Sequence, residues 1–322
     1  MQSLQFSPDD QFLAFTHYRS GISIWDWKRG KLKTRLVSPY RGHRQLAYSP
    51  DGSKIAATNE YSNILDVFDL ATQKRLAASR AAHEAGPSFL KFLDDGKSIV
   101  TAGDDGSLRL WDSHTGKQKL ELRHPPNPKK PNETRWIRAA AVSPGGELVA
   151  TSSFDNTVRL WNLKTKKEIY RLPGHGRMGG HRALAFTPDG RRFASWGDDM
   201  RVYVWDVATG KLKMELKNEY GDMVFSPDGR FFVTGGNVFE AASGKRVTNL
   251  RGKSTIRALA FSHDGRFLAT ATSKTIYVWD VATWKKRKEF KGHDRLTTLT
   301  FTRGGKLLSG SGDTTVLVWD LK

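Results

Sequence analysis

The stretch ALAFTPDGRRFASWGDDMRVYVWDVATGK, residues 183–211, decides the fold, because the rest of the chain repeats its layout. Short apolar runs lie on either side of a Pro-Asp-Gly turn, which is typical of a tight β-hairpin. The segment RVYVWDV is rich in β-branched and aromatic residues, and KLKMEL after it alternates basic or polar with apolar residues. Each such unit therefore predicts four consecutive β-strands, named a to d, and no helix.

Two landmarks of this stretch recur through the whole chain. The first is the aromatic or apolar residue before the turn, which recurs every 36 to 50 residues at Phe6, Tyr48, Phe92, Val142, Phe186, Phe225, Phe261 and Phe301. The second is an aromatic residue followed by Asp, Glu or Asn, at Trp25, Phe68, Trp111, Trp161, Trp205, Phe239, Trp279 and Trp319. The landmarks are 18 to 20 residues apart in seven units and 14 apart in the sixth. This regularity indicates eight structural repeats.

These repeats resemble the WD-repeat β-propeller family. The shared marks are the Trp-Asp pairs, a period near 40, and Gly-His dipeptides at residues 42–43, 174–175, 180–181 and 292–293. Near-consensus segments such as SPDGR and VWDVATGK are similar to those of bacterial WD-repeat proteins. The resemblance covers essentially the whole chain and implies an all-β propeller, whereas it says little about activity.

The fold prediction is a single propeller domain over residues 1–322 with eight blades; seven blades, with the short unit absorbed, is the alternative. The sixth blade is expected to be retained but shortened at its b–c turn, where Gly235-Gly236-Asn237 can form a tight turn with positive φ. The last blade is expected to lack its outer strand; a chain that is a fragment of a longer one is the alternative. The predicted repeats span residues 1–42, 43–85, 86–134, 135–180, 181–218, 219–253, 254–292 and 293–322.

The resemblance also implies structural roles. Motif tryptophans pack between blades, at Trp25, Trp111, Trp161, Trp205, Trp279 and Trp319. In a well-formed repeat, this Trp joins a hydrogen-bonded set with a His before strand a, a Ser or Thr on strand b, and an Asp in the b–c turn. The Asp position, six residues before the Trp, holds Asp105, Asp155, Asp199 and Asp313. The eighth repeat is the most complete, with His293, Ser309, Asp313 and Trp319.

The chain is strongly basic, with 52 Lys and Arg against 33 Asp and Glu and a net charge of +19. Such a surplus favours encounters with anions such as nucleic acid, acidic proteins or anionic lipid. Much of it lies on predicted outer strands and their turns, as in residues 27–35 and 284–291. Lys at a sheet edge discourages strand addition by other chains, so edge protection and a binding function both remain open.

An insertion at residues 123–136, RHPPNPKKPNETRW, departs from the repeat. Its prolines favour an extended, semi-rigid loop. The resemblance places d–a connections on the so-called top face, around the mouth of the central channel. A basic loop that ends in Trp136 is a candidate partner contact, and a neutral surface insertion is the alternative.

Arg recurs four residues before the first landmark in four repeats, at Arg44, Arg138, Arg182 and Arg257. Arg carries a fixed charge and a planar donor fork that suits carboxylates and phosphates. Neighbouring residues extend this candidate partner-binding site to Trp136, Arg135, His175, Arg177, His181 and Arg295. The alternative is that Arg simply belongs to the repeat's own consensus.

No motif for catalysis is present: the chain has no G-x-S-x-G, H-E-x-x-H, P-loop or C-x-x-C, and no cysteine. We therefore expect no enzyme, cofactor, metal or small-molecule substrate. The absence of a signal peptide and of a membrane-spanning apolar run favours a cytoplasmic protein without membrane association. The predicted function is a scaffold for protein–protein interaction that binds a protein or acidic peptide over the top face; electrostatic association with nucleic acid is the alternative.

Overall fold

The structure is a computed structural model that describes residues 3–17, 21–40, 42–59, 63–79, 82–125, 135–175, 181–217, 219, 222–250, 255–312 and 315–321. The side chains of His17, Arg44, His181 and Arg182 lie outside that description. Within it, every regular element is a β-strand. The strands form two compact units, Met1–His181 and Arg182–Lys322.

The first unit contains four antiparallel sheets, each formed by four consecutive strands, and each sheet is one blade with strands a to d in chain order. Blade 1 has β1 (Leu4–Phe6), β2 (Phe12–His17), β3 (Gly21–Asp26) and β4 (Lys31–Leu36). Blade 2 has β5 (His43–Tyr48), β6 (Lys54–Asn59), β7 (Leu65–Asp69) and β8 (Arg75–Ser79). Blade 3 has β9 (Pro87–Phe92), β10 (Ser98–Gly103), β11 (Ser107–Asp112) and β12 (Gln118–Arg123). Blade 4 has β13 (Ile137–Val142), β14 (Leu148–Ser153), β15 (Thr157–Asn162) and β16 (Lys167–Pro173).

The second unit contains three four-stranded blades and a three-stranded one. Blade 5 has β17 (His181–Phe186), β18 (Arg192–Gly197), β19 (Arg201–Asp206) and β20 (Leu212–Lys217). Blade 6 has β21 (Met223–Phe225), β22 (Phe231–Thr234), β23 (Asn237–Glu240) and β24 (Arg246–Asn249). Blade 7 has β25 (Ala258–Phe261), β26 (Phe267–Ala271), β27 (Thr275–Asp280) and β28 (Lys286–Lys291). Blade 8 has β29 (Leu296–Phe301), β30 (Leu307–Ser311) and β31 (Val316–Trp319). The predicted all-β propeller class with eight blades is confirmed, and the alternative of seven is not.

The hydrophobic core lies between neighbouring blades. In the first unit, Leu65 and Val67 of blade 2 pack in one buried cluster with Phe92, Ile99 and Trp111 of blade 3. Further clusters join blades 1 and 2, and blades 3 and 4. In the second unit, separate clusters join blades 5 and 6, blades 6 and 7, and blades 7 and 8. Within each unit, neighbouring blades therefore bury their apolar side chains against one another, as in other repeat folds.

Blade 6 keeps all four strands although its b–c connection is short. Strands β22 and β23 pair directly from Phe231↔Glu240 to Thr234↔Asn237, so the loop is only Gly235 and Gly236. Both glycines have positive φ, 48° and 91°, as a two-residue type I′ hairpin turn requires. The prediction of a retained blade trimmed at this turn is confirmed.

Blade 8 ends at its third strand within the described residues, as predicted. The consequence is visible at Val318, which is 42% exposed. The residues at the same position before the motif aromatic are buried in other blades, for example Leu160 at 0% and Val204 at 2% exposed. In those blades an outer strand lies beside strand c and covers this position.

Candidate functional site

Residues 135–138, which comprise the last two residues of the insertion and the start of β13, lie against the b–c turns of blades 3 and 4. Gly106, with φ of +74°, lets Arg135 approach closely, since an added Cβ there would lie 3.0 Å from the Arg135 carbonyl oxygen. The Phe154 amide donates a hydrogen bond of 3.0 Å to the Trp136 carbonyl. Backbone contacts on both sides therefore fix the direction in which Trp136 and the start of β13 point.

Two aromatic rings and one guanidinium meet at this place. The Trp136 and Phe154 rings form an edge-to-face pair with centroids 5.5 Å apart and an interplanar angle of 69°. The central guanidinium carbon of Arg138 lies 4.6 Å from the Trp136 ring centroid and 5.2 Å from that of Phe154, within cation–π range. Trp136 is nevertheless 40% exposed, so much of a large apolar side chain faces solvent beside a cation.

The same guanidinium forms an ion pair across two blades. Arg138 Nη1 lies 3.3 Å from Asp104 Oδ2, and the side chains are 30% and 18% exposed. Arg135 Nη1 donates a long hydrogen bond of 3.4 Å to the His124 carbonyl. We call Asp104, Arg135, Trp136, Arg138 and Phe154 the Trp136–Arg138 patch.

The other predicted partner-binding residues belong to the second unit or lie outside the description, apart from His175. Arg257 and Arg295 are exposed and belong to the second unit. The Arg257 amide donates to the Ala271 carbonyl, and the Arg295 carbonyl accepts from the Gly312 amide. Arg177 is outside the described residues, as are the side chains of Arg44, Arg182 and His181. As partner contacts, all of these stay predictions.

His175 departs from the role that the sequence suggested. Its side chain is 3% exposed, so it is not available at the surface as a partner contact. It resembles the other buried histidines that precede or begin strand a, namely His43, His83, His124 and His293.

Blades 3 and 4 contain the complete hydrogen-bonded set. In blade 3, His83 Nδ1 lies 2.9 Å from Asp105 Oδ1 and Nε2 lies 2.8 Å from Thr101 Oγ1, while Trp111 Nε1 donates to the same hydroxyl over 2.8 Å. Blade 4 repeats this arrangement. His124 Nδ1 lies 3.0 Å from Asp155 Oδ2 and Nε2 lies 2.9 Å from Thr151 Oγ1, while Trp161 Nε1 donates to the same hydroxyl over 2.7 Å. Both the imidazole and the indole therefore converge on one strand-b hydroxyl.

His83 and His124 were missed by the sequence analysis because neither follows a Gly. A usable signal does exist in the spacing to the preceding motif aromatic. His83, His124, His175 and His293 lie 15, 13, 14 and 14 residues after Phe68, Trp111, Trp161 and Trp279. A spacing of 13 to 15 residues from the motif aromatic of the preceding repeat therefore finds His83 and His124, which the Gly-His dipeptide does not.

The pKa values of both carboxylates of these sets, Asp105 and Asp155, are lowered, and that of His124 is lowered as well. Burial disfavours the charged form of Asp105, but hydrogen bonds from His83 and Ser107 outweigh it and hold the pKa of that carboxyl below its usual range. Asp155 behaves in the same way through His124 and Thr157. Burial lowers the pKa of His124, and its hydrogen bond to Asp155 only partly opposes this.

The two Asp residues also neutralise buried arginines. Arg159 is 1% exposed, and its guanidinium lies 3.2 Å from Asp155 and 2.7 Å from Glu168 on β16. Arg109 in blade 3 is bound in the same manner, at 3.3 Å from Asp105 and 3.2 Å from Glu121. Each charged side chain of these networks therefore has an oppositely charged partner within its own blade.

The remaining motif residues complete the set to different degrees. Trp205, Trp279 and Trp319 donate to Ser195, Thr270 and Ser309 over 3.3, 3.0 and 2.7 Å. His293 Nε2 lies 2.7 Å from Ser309, and its Nδ1 lies 3.0 Å from the Thr315 hydroxyl. Trp25 packs near Phe15, with ring centroids 6.5 Å apart, and Asp199 accepts the Arg201 amide. Asp313 lies outside the described residues.

Comparison with known proteins identifies this arrangement. The profile described as WD domain, G-beta repeat matches residues 75–112, 129–162, 166–206, 244–280 and 284–320, together more than half of the chain. Each matched range ends at the acid or Asn that follows a motif Trp.

The chain belongs to the WD-repeat family.

Individual WD-repeat relatives are distant. Periodic tryptophan protein 2 of Arabidopsis thaliana is 25% identical over 86% of this chain and 33% of its own length. Guanine nucleotide-binding protein subunit beta-1 of Drosophila melanogaster is 28% identical over 51% of this chain and 47% of its own. Pre-mRNA-processing factor 17 of Saccharomyces cerevisiae is 25% identical over 67% of this chain and 47% of its own. The chain thus spans less than half the length of these relatives.

Two WD repeats, those of blades 2 and 6, have Phe in place of the motif Trp. In blade 6 the strand-b hydroxyl of the set, on Thr234, is buried and has no hydrogen-bond partner among the described residues. In blade 2 the same strand-b position is Ala57, which has no hydroxyl. Phe68 and Phe239 still fill the aromatic position, at 1% and 5% exposed. The substitution therefore keeps the packing of the repeat and removes the indole N–H donor.

In the same two repeats, a polar residue of strand c forms hydrogen bonds inside the blade. In blade 2, Asp66 on β7 lies 3.2 Å from His43 Nε2, and Ser38 donates to its Oδ2 over 2.7 Å. In blade 6, the buried Glu219 accepts two hydrogen bonds from Asn237 Nδ2, of 2.9 and 2.8 Å. Asp66 and Asn237 each stand two positions before the motif Phe. A polar side chain at this position of strand c therefore takes the place of the missing b–c turn Asp.

The described residues contain neither a candidate metal centre nor a candidate membrane-spanning helix. Among the described residues, no group of three or more His, Asp and Glu could hold a metal ion. The part of the chain that the structure describes has no helix long and apolar enough to cross a membrane.

Proposed function

We propose that this chain is a non-catalytic scaffold that binds an acidic segment of a partner protein at the Trp136–Arg138 patch. Trp136 supplies an apolar anchor and Arg138 supplies the charge that recognises a carboxylate. Arg135 adds a second cation at the edge of the patch, while Arg44, Arg182 and Arg257 are predicted additional contacts. The proposal thus names a defined group of residues in the first unit for the predicted binding over the top face.

The exposure of Trp136 carries this proposal. A side chain that is 40% exposed leaves considerable apolar area in water although its backbone is fixed by Phe154. Trp and Arg are the residues most often found as hot spots of protein interfaces. Because backbone contacts with Gly106 and Phe154 hold residues 135 and 136, binding should cost less conformational entropy than at an unattached loop.

The names of the relatives support a role in assemblies. One relative is called a subunit of a guanine nucleotide-binding protein and another a pre-mRNA-processing factor, so each name places its protein within a larger system. The absence of catalysis is supported by the buried His–Asp pairs, whose partners are residues of the repeat itself. The high net charge of +19 supports an acidic partner over a basic one.

A peptide titration tests the proposal. The probe is a fluorescein-labelled peptide in which Glu residues flank a Phe, and the control peptide has Gln in place of each Glu. The wild-type chain should bind the Glu peptide more tightly, and Arg138→Gln should weaken that binding with an unchanged melting temperature. The matched control is Arg191→Gln, which removes an exposed charge in the second unit. Equal binding of both peptides, or equal effects of both variants, would contradict the proposal.

The net charge also supports a second candidate, association with nucleic acid. Its signature is an affinity for duplex DNA that falls steeply with salt. If the wild-type chain binds duplex DNA with a steep salt slope and ignores the Glu peptide, nucleic-acid association replaces the scaffold proposal.

A further inference from the structure

Asp104 and Asp105 are adjacent in the b–c turn of blade 3 and have different surroundings. The Asp105 side chain is 1% exposed and is held by His83 and Arg109. The Asp104 side chain is 18% exposed, and its Oδ2 faces Arg138 of the next blade at 3.3 Å. Asp105 thus belongs to the structural set of its own repeat, whereas Asp104 faces the proposed ligand site.

The geometry of Arg138 restricts how an anion can approach it. The central carbon of the guanidinium lies 4.6 Å from the Trp136 ring centroid and 5.2 Å from that of Phe154, so the two rings limit the directions from which a ligand can reach it. The N–H donors of a guanidinium all point outward in its own plane. An incoming carboxylate must therefore approach this edge, and Asp104 already occupies part of it.

The ion pair is exposed enough to be exchanged. With side chains that are 30% and 18% exposed, the Arg138–Asp104 contact belongs to the class of pairs that contribute little net stability. A ligand carboxylate that takes a place beside Arg138 would also experience repulsion from the nearby Asp104 charge. Asp104 therefore opposes an acidic ligand both as a competitor for the donors and as a like charge.

We propose that Asp104 is an intramolecular competitor that holds the Trp136–Arg138 patch in a low-affinity state for acidic segments. This inference rests on the proposed function of the same patch. It names Asp104 as the residue that sets the affinity: a ligand carboxylate replaces the Asp104 carboxylate at Arg138, while the ligand's apolar residue packs on Trp136. Weakly acidic segments are rejected, because they do not displace the internal carboxylate.

The test is an Asp104→Asn variant, titrated with the fluorescein-labelled Glu–Phe–Glu peptide. Removing the charge should raise the affinity about two- to five-fold, the range expected for a partly exposed ion pair. The charge-matched control is Asp294→Asn, which removes an 85% exposed carboxylate in the second unit and should leave the affinity unchanged. Asp104→Ser serves as a second variant, because it lacks the side-chain amide oxygen that in Asp104→Asn could still accept a hydrogen bond from Arg138.

The double variant Asp104→Asn with Arg138→Gln decides the mechanism. If Asp104 acts through Arg138, its removal should give no gain once Arg138 is absent. An equal gain in both backgrounds would mean a general charge effect and would overturn the competitor role. An unchanged or lower affinity for Asp104→Asn, with wild-type binding intact, also refutes the inference while the proposed function stands. Absence of binding to the wild type and to every variant refutes the proposed function itself.

Discussion

The indole Nε1 of Trp161 donates a hydrogen bond to Thr151 Oγ1 over 2.7 Å, and this contact distinguishes well-formed repeats from altered ones. In blade 6 the equivalent hydroxyl belongs to Thr234, which is buried and has no hydrogen-bond partner among the described residues, because Phe239 has no N–H to donate. The chain thus offers the same strand position in a satisfied and an unsatisfied form.

Thr→Val substitutions at these two positions should have different effects. Thr151→Val leaves the Trp161 indole and the His124 imidazole without their shared partner and should cost about 1–3 kcal/mol of unfolding free energy. Thr234→Val removes a buried hydroxyl that has no hydrogen-bond partner among the described residues, so it should be neutral or stabilising. Urea denaturation of both variants measures the difference. Equal losses would show that the hydroxyl contacts do not matter.

The short hairpin of blade 6 predicts a contrast between its two glycines. Gly236, at φ of 91°, lies outside the region that a side chain tolerates, so Gly236→Ala should destabilise the chain by about 1–3 kcal/mol. Gly235, at φ of 48°, is close to the left-handed helical region that Asn adopts readily. Gly235→Asn should therefore be neutral or stabilising, as Asn-Gly is a favoured type I′ pair. Thermal melting distinguishes them, and a tolerated Gly236→Ala would contradict the turn geometry.

The stability of the chain should fall in two steps on acidification. The pKa of His124 is lowered from its ordinary value of 6.5, so below that pH the unfolded chain binds the proton first. Its contribution to stability is full above pH 6.5 and is lost as the pH falls toward the folded pKa. The pKa values of Asp105 and Asp155 are lowered from 3.8, so their contribution is lost only below that value.

His124→Gln provides the measurement for the first step. Unfolding free energies determined by urea denaturation from neutral to mildly acidic pH should vary less in this variant than in the wild type. His114→Gln, which changes an exposed histidine, is the control and should keep the wild-type pH dependence. A pH profile of His124→Gln that parallels the wild type would contradict the assignment.

Buried and exposed arginines should differ strongly in their contribution to folding. Arg159→Met leaves the charges of Asp155 and Glu168 without their shared cation and should cost about 3–5 kcal/mol. Arg201 forms a comparable pair with Glu215, but its side chain is 45% exposed, so Arg201→Met should cost less than about 1 kcal/mol. Denaturant midpoints of the two variants give the comparison. A small cost at Arg159 would mean that its network contributes little.

The fold was predictable because each repeat carries its own landmarks. The aromatic residue before the turn and the motif Trp or Phe set the strand boundaries locally, and the 14-residue spacing of the sixth repeat corresponds to its trimmed hairpin. The hydrogen-bonded set was predicted only partly, because His83 and His124 are placed by their distance from the preceding repeat and not by a local dipeptide.

The candidate site was predicted less completely because it depends on contacts between blades. Trp136 and Arg138 stood out in the sequence, but Asp104 lies 34 residues before Arg138 and meets it only where the b–c turn of blade 3 contacts strand a of blade 4. Likewise, His175 has the sequence environment of a surface loop, whereas the structure buries it. The Asp104–Arg138 contact and the burial of His175 both depend on packing between repeats, which the spacing of residues within one repeat does not indicate.

Binding of the labelled Glu–Phe–Glu peptide to Trp136→Ala is the most direct test of the central claim, that the Trp136–Arg138 patch recognises an acidic segment. Truncating an interface anchor of this kind should weaken binding by about tenfold or more, while the melting temperature stays that of the wild type. Leu212→Ala, which removes another exposed apolar side chain, should bind as the wild type does. Undiminished binding by a folded Trp136→Ala variant would contradict the account.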